Sequence, residues 1–247
     1  MKKALLIAFA MLIAGTTAMA QPKKSKVKPG GQPMTISVTS DKSGAEARDT
    51  KAVEVMEGKS IELPPAEVGL DVPLRHALDK RRTDRQFSGE EIPLEMLSSL
   101  LWSAYGYNRP DEQKRVVPSA VNAQEFDIYV FMREGIYLYN AEKNVLDMVS
   151  EGDHRAEISG QKHFAEAPVS IVMVANYDRM KMFKEKEMRD FYAAVDAGYV
   201  SQDIYLYCSV NGLGTVACGG IERDRIQKII GFENGRAILA HPVGFAK

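Results

Sequence analysis

A strand–turn–strand pattern near the middle of the chain constrains the fold more than any other segment. Residues 126–132 are rich in aromatic and β-branched side chains, residues 133–135 contain the glycine of a turn, and residues 136–139 form a second apolar strand pattern. Strands joined by so short a turn pair antiparallel. Residues 169–175 are continuously apolar, which is typical of a strand buried on both faces. The chain is therefore expected to contain a central antiparallel or mixed sheet.

Helical patterns surround these strands without a regular strand–helix–strand repeat. The spacing of Leu74, Ala77 and Leu78 predicts a short helix. Pro93 opens a second helix at a position where its missing N–H costs little, and Gly106 ends it. Further helices are expected over residues 155–164, 181–211 and 222–230, and strands over residues 213–220 and 236–243. This mixture predicts an α+β domain with helices around the sheet.

The first twenty residues have the composition of a secretory signal peptide. Lys2 and Lys3 precede an apolar run over residues 4–14, and Ala18 and Ala20 provide the small residues that a signal peptidase recognises. We expect cleavage between Ala20 and Gln21, an exported protein and a periplasmic location without a stable membrane anchor. The alternative is an uncleaved N-terminal anchor.

Residues 21–60 differ in composition from the rest of the chain. They are polar and begin with lysines among prolines and glycines, so they are expected to form a disordered linker with one short strand at residues 35–39. The folded domain is expected over residues 61–247. The whole chain is 45% hydrophobic and 26% charged, which is sufficient for one substantial core. Its net charge of −1 gives no indication of a nucleic-acid partner.

The cysteines and histidines leave little scope for metal chemistry. Cys208 and Cys218 are too few for a pair of zinc-binding CxxC motifs, and the four histidines show no metal-ligand spacing. In an exported protein the two cysteines could form a disulfide, or they could be two free buried thiols. No metal site is therefore expected.

Three polar motifs stand apart from the core pattern. They are RRTDRQF at residues 81–87, PSAVNAQEF at residues 118–126 and LGTVACGGIE at residues 213–222. Arginine forks match phosphate or carboxylate oxygens two at a time. Taken singly, the motifs have ordinary explanations, namely a solvated charge cluster, a helix cap at Ser119 and a strand-to-helix turn at Gly219 and Gly220.

Taken together, in this order and spacing, the three motifs resemble those of the FMN-dependent nitroreductase family. The resemblance covers residues 66–245, and the segments ALDKRRTDRQF and AGYVSQDIYLYCSVNGLG are most similar to the branch that contains the azoline-forming dehydrogenases. It implies a nitroreductase-like fold and an interlocked homodimer with two FMN molecules at the subunit interface.

The resemblance also implies roles for individual residues at the phosphate end of the flavin. Arg81, Arg82, Thr83 and Arg85 match the family's first motif, whose residues hold the phosphate and ribityl chain, and Arg85 is assigned to the N1/O2 edge of the ring. A cation there stabilises the negative charge of reduced flavin. Lys247 takes part of the work of a basic pair that many members carry after their last strand.

The second and third motifs correspond to the ring end of the flavin site. The matching residues are Pro118, Ser119, Ala120, Asn122 and Gln124, with Arg115 as a further candidate, and then Gly219 and Gly220. Ala120 replaces a serine of the family pattern, and Glu125-Phe126 replaces a Pro-Trp pair. Gly219 and Gly220 would present backbone N–H groups to N5 and O4, where glycine lets the backbone pack against a ring.

The implied activity is that of an FMN-dependent oxidoreductase that passes hydride through flavin N5. The substrate would be a small organic molecule such as a nitroaromatic, a quinone or a heterocycle, and no side chain is required as acid or base. Asp127, Asp196 and Glu222 are therefore interpreted as structural. NAD(P)H is scarce outside the cytoplasm, so the electron donor stays open. The alternatives are an exported flavin- or ligand-binding protein without turnover and cleavage of an aryl–halogen bond.

Overall fold

The structure, a computed structural model, describes residues 53–68 and 72–247. The expected signal peptide, the strand at residues 35–39 and the linker up to residue 52 lie outside these residues. Within the described part of the chain, none of the helices combines the length and apolar character needed to cross a bilayer.

A seven-stranded sheet forms the centre of the domain, in the order β1-β6-β5-β4-β7-β9-β8, and every adjacent pair is antiparallel. Its strands are β1 (Ser60–Glu62), β4 (Phe126–Phe131), β5 (Gly135–Asn140), β6 (Val145–Glu151), β7 (Val169–Asn176), β8 (Leu213–Thr215) and β9 (Gly235–Phe245). A separate two-stranded ribbon consists of β2 (Tyr107–Arg109) and β3 (Lys114–Arg115). The expected hairpin is confirmed as β4 and β5.

Helices cover both faces of the sheet, and this confirms the α+β class. They are α1 (Leu74–Lys80), α2 (Leu94–Tyr105), α3 (His163–Glu166), α4 (Lys186–Val210) and α5 (Arg223–Ile230). The central strand β7 alternates between two buried clusters. Ile171 and Met173 pack into the cluster that contains α2 and α4, whereas Val172 and Val174 pack into the cluster that contains α5. The strand is buried on both faces, as its continuous apolar run predicted.

The long helix α4 is shorter than the sequence pattern suggested. It begins at Lys186 rather than near residue 181, because residues 177–183 form turns in which Met180 and Phe183 close successive backbone hydrogen bonds. Its buried side faces the sheet through small and β-branched residues such as Ala197, Val200 and Ile204. The first half of the helix keeps apolar side chains on its exposed side.

The region between β5 and β7 differs most from the expectation. Instead of a helix over residues 155–164, the structure has strand β6, a single 3-10 turn at Arg155–Glu157 and the short helix α3. Strand β6 pairs with β5 on one side and β1 on the other. Its acidic residues weaken any local strand signal, so pairing with distant segments decides its conformation.

Two further features concern expectations left open by the sequence. Backbone pairing starts before Ile61, since the Met56 N–H donates to the Met148 carbonyl at 2.7 Å. Cys208 and Cys218 are both buried and free, so the free-thiol alternative is the one observed.

Candidate active site

The first and third motifs lie side by side at the β8 edge of the sheet. The Asp84 N–H donates to the Thr215 carbonyl at 2.9 Å. A Cβ on Gly214 would lie 2.8 Å from the Asp84 Cβ, so only glycine permits this approach. The C-terminus joins the same place, where the Lys247 N–H donates to the Gln86 carbonyl at 3.2 Å. Lys247 is thus adjacent to the basic stretch.

Tyr205 of α4 connects these two motifs, although no sequence motif singled it out. Its hydroxyl accepts a hydrogen bond from the Ala217 N–H at 2.8 Å and lies 3.2 Å from the Thr83 hydroxyl. The Arg81 guanidinium lies over its ring, 5.4 Å from the centroid. A tyrosine within a helical apolar stripe is usually a core residue, so nothing in the pattern distinguished it.

A buried histidine supports Tyr205 from beneath. The His241 ring meets the Tyr205 ring edge-on at 5.3 Å. Its Nδ1 lies 3.0 Å from the Thr215 hydroxyl and its Nε2 lies 2.8 Å from the Ser201 hydroxyl. Complete burial lowers the pKa of His241 to about 3, so the ring is neutral. His241 therefore acts as a structural bridge between α4, β8 and β9.

Arg85 is exposed and forms no ion pair with a residue in the described ranges. It lies close enough to Cys218 and His163 to affect both groups. Burial raises the pKa of the Cys218 thiol, and the Arg85 charge partly offsets this. Burial lowers the pKa of His163, and Arg85 adds to this effect. The Arg85 charge thus acts on Cys218, the residue that immediately precedes Gly219.

The glycine pair has its carbonyl groups occupied and its N–H groups open. The Gly219 carbonyl accepts from the Arg223 guanidinium at 2.8 Å, and the Gly220 carbonyl accepts from the Ser159 hydroxyl at 2.9 Å. Both glycines are exposed. Their N–H groups have no hydrogen-bond partner among the described residues. Open donors beside an unpaired arginine suit a ligand that carries negative charge.

Arg82 differs from the other arginines of the motif because part of its guanidinium is engaged. Its Nε donates to both oxygens of Asp84, at 3.0 and 3.2 Å. With Lys80 it lines a cavity of about 250 Å³ next to Tyr205. A cavity of about 350 Å³ lies elsewhere, between α1, α2 and α4. The candidate site is identified by its hydrogen-bond donors and positive charges rather than by cavity volume. The larger cavity is lined mostly by apolar side chains.

The second motif lies in another place, as a loop over residues 118–124 that rests on the first half of α4. The Ala120 N–H donates to Asp196 Oδ2 at 2.7 Å, and the Gln124 N–H donates to the Ser119 hydroxyl at 3.0 Å. The φ angles of Val121, Asn122 and Gln124 are 49°, 56° and 48°. Such left-handed backbone is unfavourable for valine, so tertiary contacts must hold this loop.

A single chain therefore brings together two of the three motifs. Asp196, which binds the 118–124 loop, and Tyr205, which binds the first motif, are nine residues apart on α4. Nine residues make about two and a half helical turns, so the two side chains point to opposite sides of the helix. Pro118, Ser119, Ala120, Asn122 and Gln124 consequently lie on the opposite side of α4 from Arg81, Arg85 and Gly219.

Arg115 belongs to the surroundings of the second motif. Protein groups engage its two terminal nitrogens, whereas its buried Nε has no hydrogen-bond partner among the described residues. It donates to the Tyr105 carbonyl at 2.6 Å and to the Tyr107 hydroxyl at 3.0 Å. Its guanidinium also lies over both tyrosine rings, at 4.0 and 4.3 Å. With Gln124 it lines a cavity of about 350 Å³. These contacts show Arg115 bracing the β2–β3 ribbon.

Comparisons with known proteins agree on one family. The sequence profile described as the nitroreductase family matches residues 78–245. A nitroreductase-type protein of Methanocaldococcus jannaschii is 31% identical over 196 residues, which cover 74% of this chain and 95% of that protein. A solved structure of a nitroreductase-type protein from Ralstonia eutropha JMP134 is 30% identical, with a TM-score of 0.71, and covers 80% of this chain and 95% of its own.

More distant structures share the fold alone. The NADPH:FMN oxidoreductase of Vibrio harveyi, solved with NAD⁺, is 17% identical with a TM-score of 0.52, covering 70% of this chain and 69% of its own. A chain of the Escherichia coli microcin synthetase McbBCD complex, solved with truncated pro-MccB17, is 14% identical with a TM-score of 0.58. That match covers 77% of this chain and 79% of the other.

Proposed function

Because the chain belongs to the nitroreductase family, with residues 78–245 matching it, we propose that it is an FMN-dependent oxidoreductase. It would transfer hydride to or from a small organic substrate such as a nitroaromatic, a quinone or a heterocycle. The observation that carries the proposal is the meeting of two cations, the half-buried Arg81 and the exposed Arg85, with the open N–H groups of Gly219 and Gly220.

The residues of this site fit the two ends of FMN. The phosphate is an anion, and Arg81, Arg82 and Lys247 are the basic residues gathered at the first motif, with the Thr83 hydroxyl as a further donor. Arg85 and the glycine N–H groups supply positive charge and donors for the ring. Gly219 and Gly220 have no side chain to hold a planar ring away from the backbone.

We further propose that a second copy of the chain completes the site. The 118–124 loop faces away from Arg81 and Arg85, so it would serve the site of a partner subunit. An exposed apolar stripe supports such an interface. Met188, Phe191, Val195 and Tyr199 lie at helical spacing on α4, and each is at least 40% exposed. Val121 in the loop is 62% exposed. Exposed apolar surface of this kind is typical of protein interfaces.

The protein itself would then position the flavin and supply charge around it. Bound FMN would supply the hydride-transfer chemistry at N5. Arg85 would stabilise negative charge at the ring edge, and the Gly219 and Gly220 N–H groups would fix the ring's opposite edge. Two carboxylates that the sequence singled out have structural contacts, since Asp127 pairs with Arg179 and Asp196 binds the Ala120 N–H. This supports a mechanism without a side-chain acid or base.

The cellular setting is also a proposal. We propose that residues 1–20 direct export, that the polar segment links them to residues 61–247, and that the protein works in the periplasm. NAD(P)H is scarce there, so either a different donor would reduce the flavin or the flavin would take its electrons from the substrate that the protein oxidises. N-terminal sequencing of the exported protein tests the cleavage, and Gln21 is the expected first residue.

The absorption spectrum of the exported protein tests the main proposal. A yellow preparation that a reductant bleaches and a nitroaromatic or quinone re-oxidises is the expected result. A yellow protein that is reduced but never re-oxidised by such acceptors would favour flavin binding without turnover. A colourless protein that gains no flavin spectrum on addition of FMN would overturn the proposal.

A further inference from the structure

Two carboxyl groups are buried together where the 118–124 loop meets α4. Glu125 is 0% exposed and Asp196 is 3% exposed. Neither oxygen of Glu125 accepts a hydrogen bond from a donor in the described ranges. The Asp196 carboxyl group lies close enough to Glu125 for each group to affect the pKa of the other. Asp196 also accepts the Ala120 N–H at 2.7 Å. A buried carboxylate without a donor is costly, so this arrangement requires an explanation.

Among the residues that the structure describes, no positive charge is free to neutralise the pair. Arg179 faces Glu125 from beyond β7, but it is ion-paired with Asp127 and donates to the carbonyls of Gln124 and Phe126. From α2, Tyr105 faces Glu125, and its hydroxyl accepts the Phe126 N–H at 3.1 Å. Two ionised carboxylates can only repel each other here, whereas a protonated one becomes a donor to its neighbour.

We propose that Glu125 and Asp196 share one proton and that this proton positions the 118–124 loop through the Asp196–Ala120 hydrogen bond. The two are positioning residues, because neither lies at Arg81, Arg85 or Gly219. The inference rests on the proposed function, in which the loop meets the flavin of the other subunit. Burial and the neighbouring Asp196 raise the pKa of Glu125 to about 7, and burial also raises the pKa of Asp196.

The loop depends on this contact because its backbone conformation is unfavourable by itself. Val121, Asn122 and Gln124 all have positive φ. When the shared proton leaves, repulsion between the carboxylates would displace Asp196 from the Ala120 N–H. The proton-bound pair stabilises the fold most fully below the ordinary pKa of a glutamate, near 4.5. That stabilisation is lost as the pH rises through about 7.

Unfolding of the full-length chain without added flavin provides the first test. We expect the unfolding midpoint of the wild type to decrease as the pH is raised from 5 to 9. Glu125→Gln, which keeps the shape of the protonated acid, should flatten this fall. Glu90→Gln is the matched control, because Glu90 is exposed on a loop, and should titrate like the wild type. A Glu125→Gln variant with the wild-type pH profile would overturn the proposal.

FMN binding provides a second and separate test. Wild-type affinity should weaken several-fold from pH 6 to pH 9, and Glu125→Gln should retain its affinity over this range. If neither protein binds FMN at any pH, the proposed function fails, and the unfolding profiles still decide the inference. If Glu125→Gln does not fold, Asp196→Asn replaces it, because asparagine can donate to ionised Glu125 and still accept from Ala120. An unchanged pH profile in that variant would contradict the shared proton.

Discussion

The hydroxyl of Tyr205 lies 3.2 Å from the hydroxyl of Thr83, although 122 residues separate them in sequence. The same Tyr205 oxygen accepts the Ala217 N–H at 2.8 Å. One side chain on α4 thus links the basic stretch after α1 to the segment that leads into Gly219 and Gly220. The relative position of the two halves of the proposed flavin site depends on this link.

Removal of the Tyr205 hydroxyl should therefore weaken flavin binding more than it weakens the fold. In Tyr205→Phe the aromatic packing on His241 is kept, but two hydrogen bonds are lost, each worth about 1 kcal/mol. We expect FMN affinity to fall about 5- to 10-fold, measured by fluorescence titration. Tyr192→Phe is the control, because Tyr192 stacks on Phe183 at 4.4 Å on another part of α4. Equal affinity in Tyr205→Phe and the wild type would refute the link.

Arg81→Ala should reduce flavin retention without unfolding the domain. The Arg81 side chain is only partly buried and packs on the Tyr205 ring at 5.4 Å. A charge-assisted contact to phosphate contributes about 1.5–3 kcal/mol, so affinity should fall at least about tenfold. Flavin content after gel filtration is the measurement.

Arg75→Ala is the matched control for Arg81→Ala. Arg75 is on the same helix α1, and its side chain is 90% exposed in a pair with Asp79. Loss of such a surface pair changes stability by well under about 1 kcal/mol. If both arginine variants lost flavin equally, the effect would be one of general charge and our assignment of Arg81 would be wrong.

Local patterns predicted most of the sheet and the helices because the decisive residues are close in sequence. The hairpin of β4 and β5 has a three-residue turn, and β7 carries an uninterrupted apolar run. Strand β6 was missed because it is half-buried and acidic, and it is held by pairing with β5 and β1. Its conformation comes from partners that a local pattern does not contain.

The residues of the candidate site could also be predicted only in part. Arg81, Arg85 and Gly219 could be proposed from short motifs, because cations and glycines have a recognisable chemistry. Tyr205 could not, since a tyrosine within an apolar helical stretch resembles any core residue in sequence. The position of the second motif, across α4 from the first, also depends on the tertiary structure. Sequence spacing alone does not determine such a relationship.

The exposed stripe on α4 predicts that assembly and flavin binding are linked. Phe191→Glu places a charge at the centre of the stripe, where Phe191 is 58% exposed. In the proposed dimer this charge would be buried without a partner, which is costly. We expect a monomer by light scattering, together with loss of bound FMN. Met182→Glu is the control, because Met182 is 65% exposed in the turn before α4. A Phe191→Glu dimer with full flavin content would exclude this face as the interface.

Replacement of Asp203 on α4 by a neutral residue should stabilise the folded protein to an extent that depends on pH. Asp203 lies in the apolar cavity between α1, α2 and α4, and burial raises its pKa from 3.8 to about 6. The folded protein therefore holds this proton more tightly than the unfolded chain does. The resulting stability is present below about pH 4 and is lost as the pH rises through about 6.

Asp203→Asn removes the ionised form. Because the carboxyl is still partly solvated, the expected gain is about 1–2 kcal/mol at pH 8 and close to zero at pH 4. Urea unfolding of both proteins at the two pH values measures it, with Asp79→Asn on the exposed face of α1 as the control. A gain of equal size at both pH values would mean that burial of Asp203 is not its cause.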